Sequence, residues 1–565
     1  MNRVTVVAVV LLAAIGGAFL GVRNPTIETA NAIAPATAQA PVGATLLPGL
    51  GNYEFAITTR DPQAQRWFNQ ALMLTFGFNH DAAERSFLKA AELDPDCAMC
   101  WWGAALVLGP HVNAAMDPAD NEKAWQSAQR AVALAPRATA REQAFIRALA
   151  TRYAAKPPED RRPLDEAYAK AAGQLVAERP DDLDARVLYA EAMMDLQPWD
   201  YYDEHLRPKG HTAEVVSQLE HVIARNPEHA GALHLYVHAV EASADPQRGV
   251  VAADRLRTLI PGSGHLVHMP AHIYARVGRW HDAVLANQTA IAADNAYLAM
   301  CGRTAKGVYP LGYVPHNPHF LWFAATMEGA SKIAEDAAKQ TAQRVNLPDL
   351  MRQPGFAGLQ HYWMTPWFDD VRFGRWDEIR KAPNPAADLP YVTAIWSYAQ
   401  GMAAVRQDRL NDARRHYEQL AKLAADPAMA QLMMWDRYPL SHAVQIAERT
   451  VHAELALARK DNEAAIRALT DAVKIEGMIP YDEPPGWHAP TRQALGAVLL
   501  QAGHAAEAEQ VYREELRRNP ANGWSLKGLQ LALSAQKRND EAAAVAKQLQ
   551  DAWQHADVQL VASRF

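Results

Sequence analysis

The sequence predicts an all-α protein built as a solenoid of helix-turn-helix pairs. Pro227, Pro261 and Asn295 are spaced 34 residues apart, and each follows a stretch with helical periodicity. Two amphipathic stretches fill each interval, for example LHLYVHAVEASADP followed by GVVAADRLRTLIP. No alternating run of convincing strand length appears. A fixed period with two helices per unit is typical of solenoids, in which stacked units bury a shared core.

The N-terminal residues predict an export segment. The run from Val4 to Val22 is uncharged and apolar and follows the basic Arg3, which is the order of regions in a secretory signal. Residues 1–22 are therefore a signal peptide or an N-terminal anchor, and residues 23–50, rich in Ala, Pro and Thr, are a flexible tether. We expect an exported protein, periplasmic or extracellular, that contacts the membrane only if this segment stays uncleaved.

Composition narrows the classes of function. The 565 residues include 56 Lys+Arg and 63 Asp+Glu, a formal net charge of −7, and no basic block. This charge pattern excludes a nucleic-acid-binding surface of the usual kind. Three cysteines in a chain of this length also exclude a scaffold built from disulfides.

Small and large apolar residues recur at set positions in the repeat units. In the first unit they are Trp67, Ala71, Ala83, Phe87, Ala90 and Pro95, and near the C-terminus Gly503, Ala508, Tyr512 and Pro520. These positions resemble the tetratricopeptide repeat (TPR) family. The resemblance implies a right-handed superhelix of roughly ten to twelve helix pairs, whose first helices line a concave groove.

The repeat pattern divides the chain into regions of different regularity. We expect an N-terminal solenoid over residues 51–340 and a C-terminal solenoid over residues 391–565. Residues 341–390 contain several prolines and the segment KAPNPAADLP, which predicts a degenerate repeat or linker.

Histidines share the period of the repeats. Nine of the 21 lie between residues 229 and 319, and two pairs, His234/His238 and His268/His272, are offset from each other by 34 residues. Each pair is spaced i, i+4, so both imidazoles project from one face of a helix. Equivalent faces of three first helices therefore present one candidate set, consisting of His234, His238, Glu241, His265, His268, His272, His316 and His319.

Imidazoles from neighbouring units point to a transition-metal site. Neutral histidine is a common ligand of copper, zinc and iron, and a glutamate ligates it or orients it. We expect one of these three metals in the groove; if the protein is an enzyme, an open coordination position would activate water or dioxygen. Two alternatives stay open: a polar groove that binds a peptide, partner protein or small molecule without metal, and purely structural hydrogen bonding.

Four other features have weaker interpretations. Cys97 and Cys100 form a CxxC, which we interpret as packed residues or a local disulfide rather than a redox motif. The loop YDEPPGWH, residues 481–488, is interpreted first as an entry to a helix and second as a lid that brings Asp482, Glu483, His488 and Arg492 to a ligand. Glu191 and His361 occupy positions from which they would face the groove.

Overall fold

Paired antiparallel helices make up almost all of the computed structural model, which describes residues 44–301 and 307–565. The predicted export segment and residues 23–43 of the tether lie outside the described residues. In the described part the predicted all-α solenoid is confirmed, and its helices form twelve consecutive pairs.

The N-terminal pairs are regular. They are α1 (Pro62–Phe76) with α2 (His80–Leu93), α3 (Ala98–Leu106) with α4 (Asn121–Leu134), α5 (Ala140–Ala150) with α6 (Arg162–Glu178), α7 (Leu183–Asp195) with α8 (Thr212–Arg225), and α9 (Ala230–Val240) with α10 (Val250–Leu259). Ala64, Ala71, Ala83 and Ala90 have no exposed surface, because small side chains let the two helices of a pair approach closely.

The central pairs contain interrupted first helices. They are α11 (Gly264–His268) and α12 (Pro270–Arg276) with α13 (Trp280–Cys301), α14 (Val314–Glu328) with α15 (Ser331–Arg344), and α17 (Ala357–Trp363) and α18 (Thr365–Arg372) with α19 (Trp376–Lys381). The short α16 (Pro348–Met351) precedes α17, and a π-helical turn, Tyr309–Tyr313, precedes α14. The sequence predicted one continuous helix through His268 and His272; the structure divides it at Met269, since Pro270 has no N–H to donate to the preceding turn.

The C-terminal pairs resume the regular pattern. They are α20 (Pro390–Arg406) with α21 (Leu410–Ala424), α22 (Ser441–Ala458) with α23 (Asn462–Glu476), α24 (Thr491–Gln501) with α25 (Ala505–Arg518), and α26 (Gly523–Ala535) with α27 (Asn539–Ala552). A two-residue antiparallel hairpin, Met433–Met434 with Tyr438–Pro439, precedes α22. The Tyr512 ring fits between α24 and α26 because glycines face it there: a Cβ on Gly496 or Gly528 would lie 2.4 or 2.1 Å from the ring.

The C-terminal pairs fold back onto the central pairs. Trp280 Nε1 donates to the carbonyl of Pro520 at 2.8 Å, and Trp524 Nε1 donates to the carbonyl of Thr326 at 2.7 Å. These contacts join α26 and the residues just before it to α13 and α14. Among the described residues, no helix combines the length and the apolar character that crossing a membrane requires.

Candidate metal centre

Six of the predicted histidines converge on the inner face of the solenoid. They are positioned by the first helices of three successive pairs, α9, the interrupted α11 and α12, and α14, and only His316 among them is more than slightly exposed. Their imidazoles sort into two groups of three, each with ligand nitrogens within 4.8 Å of one another. We call these groups the first triad (His234, His238, His265) and the second triad (His268, His272, His316).

The first triad combines α9 with the start of α11. His234 Nε2 and His265 Nε2 face each other at 3.1 Å, and His238 Nε2 is buried without a hydrogen-bond partner. The other nitrogen of His234, Nδ1, lies 2.6 Å from the carbonyl oxygen of Phe76. A carbonyl oxygen only accepts, so Nδ1 donates its proton and the lone pair of neutral His234 lies on Nε2, aimed into the triad.

The second triad joins the two halves of the interrupted helix to α14. His268 Nε2 lies 2.7 Å from His272 Nε2 and 3.0 Å from His316 Nε2. The break at Met269 does not separate His268 from His272, because the helical direction continues after Pro270. Two nitrogens bound tetrahedrally at about 2.0–2.1 Å from an ion are roughly 3.3 Å apart, so these separations are close to those of a coordinated set.

An asparagine determines which nitrogen of His268 carries the proton. Asn287, fully buried on α13, donates from Nδ2 to the carbonyl of Ala283 at 2.8 Å, which turns its Oδ1 toward His268 Nδ1 at 2.6 Å. The proton of neutral His268 is therefore on Nδ1 and its one lone pair is on Nε2. This lone pair faces two nitrogens at once, although it can accept only one good hydrogen bond.

Two glutamates surround His272 and connect the triads. Glu241 accepts from His238 Nδ1 through Oε1 at 2.9 Å and from His272 Nδ1 through Oε2 at 2.5 Å. Glu483, on the loop before α24, places Oε2 at 2.5 Å from the same nitrogen of His272. Glu241 thus orients one ring of each triad, which is the outer-shell role that carboxylates commonly have behind metal-bound histidines.

Burial and the carboxylates of Glu241 and Glu483 shift the pKa values of the histidines in the two triads in opposite directions. Burial lowers the pKa of four members well below the ordinary value of 6.5, so that these rings are neutral and able to act as ligands at neutral pH; they are His234, His265, His268 and His316. Burial also opposes protonation of His272, but Glu241 and Glu483 outweigh it and raise its pKa to about 10. Burial raises the pKa of Glu483 to about 7.

Aromatic residues close the first triad. The Phe78 ring centroid lies 4.5 Å from that of His234 and 5.4 Å from that of His265, and Trp199 meets His238 edge-on at 5.4 Å. Phe78 and Trp199 both have positive φ, 55° and 62°, a region in which a bulky residue is strained. Their rings cover part of the first triad.

The structure does not bring His319 into either triad. Its ring packs against Tyr362, with centroids 4.3 Å apart, and lies 6.0 Å from His361. Although the i, i+3 spacing puts it on nearly the same face of α14 as His316, its ring is turned toward α17, which carries Tyr362 and His361. His361 is also buried, where its Nδ1 lies 2.7 Å from the hydroxyl of Tyr391.

The candidate residues of the loop before α24 do not all reach the two triads. Of the four residues considered for a lid, only Glu483 reaches the triads; Asp482 pairs with Arg437 at 2.6 Å, and His488 contacts the hydroxyl of Tyr398 at 3.0 Å. Arg492 lies beside Glu476. The preferred interpretation of this loop, a simple entry to a helix, therefore understates the role of Glu483.

Two further candidates lie away from the triads. Glu191 lies near Arg152 and Asp195. Cys97 and Cys100 form a buried disulfide at the start of α3, which agrees with the local-disulfide interpretation.

Several residues of the centre were not among the sequence candidates. Asn287, Phe78 and the carbonyl of Phe76 lie 19 or more residues from the histidines that they contact. No periodic signal marks them, since an asparagine on a second helix and a phenylalanine between two helices are ordinary features of a repeat unit. Their roles follow only from how the units stack.

Comparison with known proteins identifies the repeat. The sequence profile of the tetratricopeptide repeat matches residues 64–97, which confirms the resemblance at the unit that carries Trp67 and Phe87. No curated protein matches the chain by sequence. TPR units form extended concave surfaces used in protein interactions, and this general role is what the match indicates.

Solved structures with a similar helical arrangement share little sequence with the chain. They include a human IFIT1 dimer with m7Gppp-AAAA (12% identity, TM-score 0.32, covering 87% of this chain and 95% of that one). Yeast Tom70 has 12% identity and a TM-score of 0.31 over 87% of this chain and 100% of its own. The TPR domain of P58(IPK) has 12% identity and a TM-score of 0.20 over 85% and 99%. The superpositions are loose, so the fold assignment rests on the helix pairs and the repeat match.

Proposed function

We propose that this tetratricopeptide repeat protein binds two transition-metal ions, one on the Nε2 atoms of each triad. The observation that carries the proposal is the position of His268 Nε2, whose single lone pair faces His272 Nε2 at 2.7 Å and His316 Nε2 at 3.0 Å. Without an ion, this lone pair can accept a hydrogen bond from only one of the two neighbours, and the other close contact has no hydrogen bond to stabilise it in a buried site. A cation accepts the lone pairs of all three rings, which removes this conflict.

The first triad supports a second ion by the same reasoning. His238 Nε2 is a buried nitrogen without a partner, and His234 directs its lone pair toward His265. Unpartnered buried nitrogens are costly, and coordination satisfies them. Neither triad contains a thiolate, and imidazole suits copper, zinc and iron alike, so the proposal extends to these three metals.

Three nitrogens leave a fourth position of a tetrahedral site for another ligand. A metal bound there would supply Lewis acidity or redox chemistry toward water or dioxygen. The chain itself contributes orientation, because Glu241 holds His238 and His272 through their Nδ1 atoms. It also contributes exclusion of water through Phe78 and Trp199, and a second buried carboxylate, Glu483, beside His272 Nδ1.

We further propose that the protein works outside the cytosol. The disulfide between Cys97 and Cys100 supports this location, since structural disulfides persist mainly in oxidising compartments. The apolar run Val4 to Val22, outside the described residues, is the segment that would direct export.

Metal content of untagged protein tests the function. We expect wild-type protein to hold about two equivalents of copper, zinc or iron, and His265→Ala and His316→Ala each to lose about one of them. The double variant should hold none, while circular dichroism shows that it is folded. Protein that stays free of metal after incubation with each of the three ions would exclude the proposal and leave a scaffold for a protein or peptide partner.

A further inference from the structure

The last residues of the chain lie in the groove of the C-terminal solenoid. After α27, residues 558–565 form no helix or strand and cross four successive first helices, α20, α22, α24 and α26. The groove residues that they contact are Arg406, Glu454, Gln493 and Trp524, one from each of these helices. In a solenoid of this type the first helices line the concave face.

Three successive side chains make the contacts. Ser563, 1% exposed, donates from Oγ to the carbonyl of Gln493 at 2.7 Å and also meets the hydroxyl of Tyr512 at 2.7 Å. Arg564 forms an ion pair with Glu454, which is buried on the groove floor. Phe565 packs edge-on against the Trp524 ring, with centroids 5.5 Å apart.

The groove has its own polar arrangement for an extended chain. Arg406 holds Glu454 with two hydrogen bonds, at 2.7 and 3.2 Å, and donates to the carbonyl oxygen of Phe565 at 3.1 Å. Burial opposes ionisation of Glu454, but Arg564 and Arg406 lower its pKa. The groove therefore offers a carboxylate for a cation and a guanidinium for a backbone carbonyl, side by side.

The segment combines polar contacts with only partial burial of its apolar side chains: Val558, Leu560 and Phe565 pack against the core but stay partly exposed. Ser563 is its one buried residue, whereas Val561 is 80% exposed. A segment that completed the core would bury its apolar side chains. Partial burial and contacts made by the side chains of three successive residues instead resemble those of an extended peptide bound on a preformed surface.

We propose that the inner face of α20, α22, α24 and α26 is a peptide-binding groove and that residues 558–565 occupy it as an internal ligand. The external ligand that it fits is an extended peptide with a hydroxyl, a cation and an aromatic ring at three successive positions. Such a peptide displaces the internal segment. This proposal is independent of the metal centre, to which none of these groove residues belongs.

A charge reversal in the segment tests the proposal in the full chain. Arg564→Glu places a carboxylate against Glu454 and releases the segment, while every groove residue is unchanged. The probe is a fluorescent peptide with the sequence VQLVASRF and an amidated end. We expect the variant to bind the probe at least tenfold more tightly than wild type, because an occupied groove lowers the apparent affinity. A probe with glutamate in place of its arginine should not bind.

Two control variants show whether a change in probe binding comes from the groove. Arg517→Glu makes the same charge change at an exposed residue paired with Glu514, and should bind the probe as wild type does. Glu454→Gln combined with Arg564→Glu should weaken binding more than tenfold, since the groove carboxylate is gone. Equal binding by wild type, Arg564→Glu and Arg517→Glu, or no binding by a folded Arg564→Glu chain, would overturn the proposal.

Hydrogen exchange in the wild-type chain gives a second test that needs no variant. Excess unlabelled peptide should accelerate exchange of the Trp553 indole N–H, which donates to the carbonyl of Val558 at 2.8 Å, because it keeps the released segment from rebinding. Unchanged exchange at saturating peptide would show that the segment is an integral part of the fold and would refute its role as an internal ligand.

Discussion

Replacing Asn287 by leucine tests the proposed metal site of the second triad through a residue that would not touch the ion. Asn287 Oδ1 lies 2.6 Å from His268 Nδ1, and it is oriented by the 2.8 Å bond from its Nδ2 to Ala283. Leucine has a similar volume but accepts no hydrogen bond. The N–H of His268 then either stays buried without a partner, at about 1–3 kcal/mol, or moves to Nε2 and removes the ligand lone pair.

Both outcomes weaken metal binding in the second triad. Loss of an outer-shell partner typically lowers affinity 10–100-fold, which is about 1.4–2.8 kcal/mol. The first triad should keep its affinity, because Asn287 is bonded to neither His234 nor His265. Competition against a chromophoric chelator at fixed pH, analysed for two sites, measures the two affinities in one sample. The undisturbed triad then acts as an internal reference.

Two matched variants sharpen this test. Asn287→Asp keeps an acceptor beside His268 Nδ1, so its affinity should stay near the wild-type value. Thr289→Val alters an exposed residue on the same helix, where the hydroxyl only donates to the carbonyl of Leu285, and should change nothing. If the leucine variant retained both affinities, the assignment of the proton to Nδ1, and with it the argument for an ion at this triad, would be wrong.

Three further predictions concern protons and the disulfide. At pH 8, metal binding by the second triad should release about one proton, from His272, whose pKa is about 10. Calorimetry in buffers of different ionisation enthalpy measures the number of protons released. If no proton is released, the ion pair of His272 with Glu241 and Glu483 would be contradicted. Burial lowers the pKa of His361 to about 4, below the value near 6.5 that it has in the unfolded chain. As the pH is lowered, the unfolded chain therefore takes up this proton before the folded chain does, and the free energy of unfolding decreases. Metal-free wild type should lose about 2 kcal/mol more than His361→Gln between pH 7 and pH 5 in urea unfolding, and equal losses would refute this. Replacing Cys97 and Cys100 by alanine should lower the free energy of unfolding by about 2 kcal/mol, the expectation for so short a loop, and an unchanged urea midpoint would show that the disulfide adds no stability.

Local pattern was sufficient for the fold and for most members of the two histidine triads. The 34-residue period of the sequence predicts the helix pairs, since each unit must bury the same face against the next one. The same logic placed the histidines: a ligand that recurs with the repeat lies on the same face in each unit. Six of the eight predicted residues form the two triads, and Glu241 stands behind them as an orienting carboxylate.

Only the tertiary structure decided how these imidazoles are grouped and what completes the centre. Periodicity cannot show that His272 belongs with His316 rather than with His238, or that His319 turns away, because the grouping depends on the angle between neighbouring units. Glu483 comes from a loop more than 200 residues beyond His272. Contacts of that kind arise when the solenoid folds back on itself, and no repeat within a sequence encodes them.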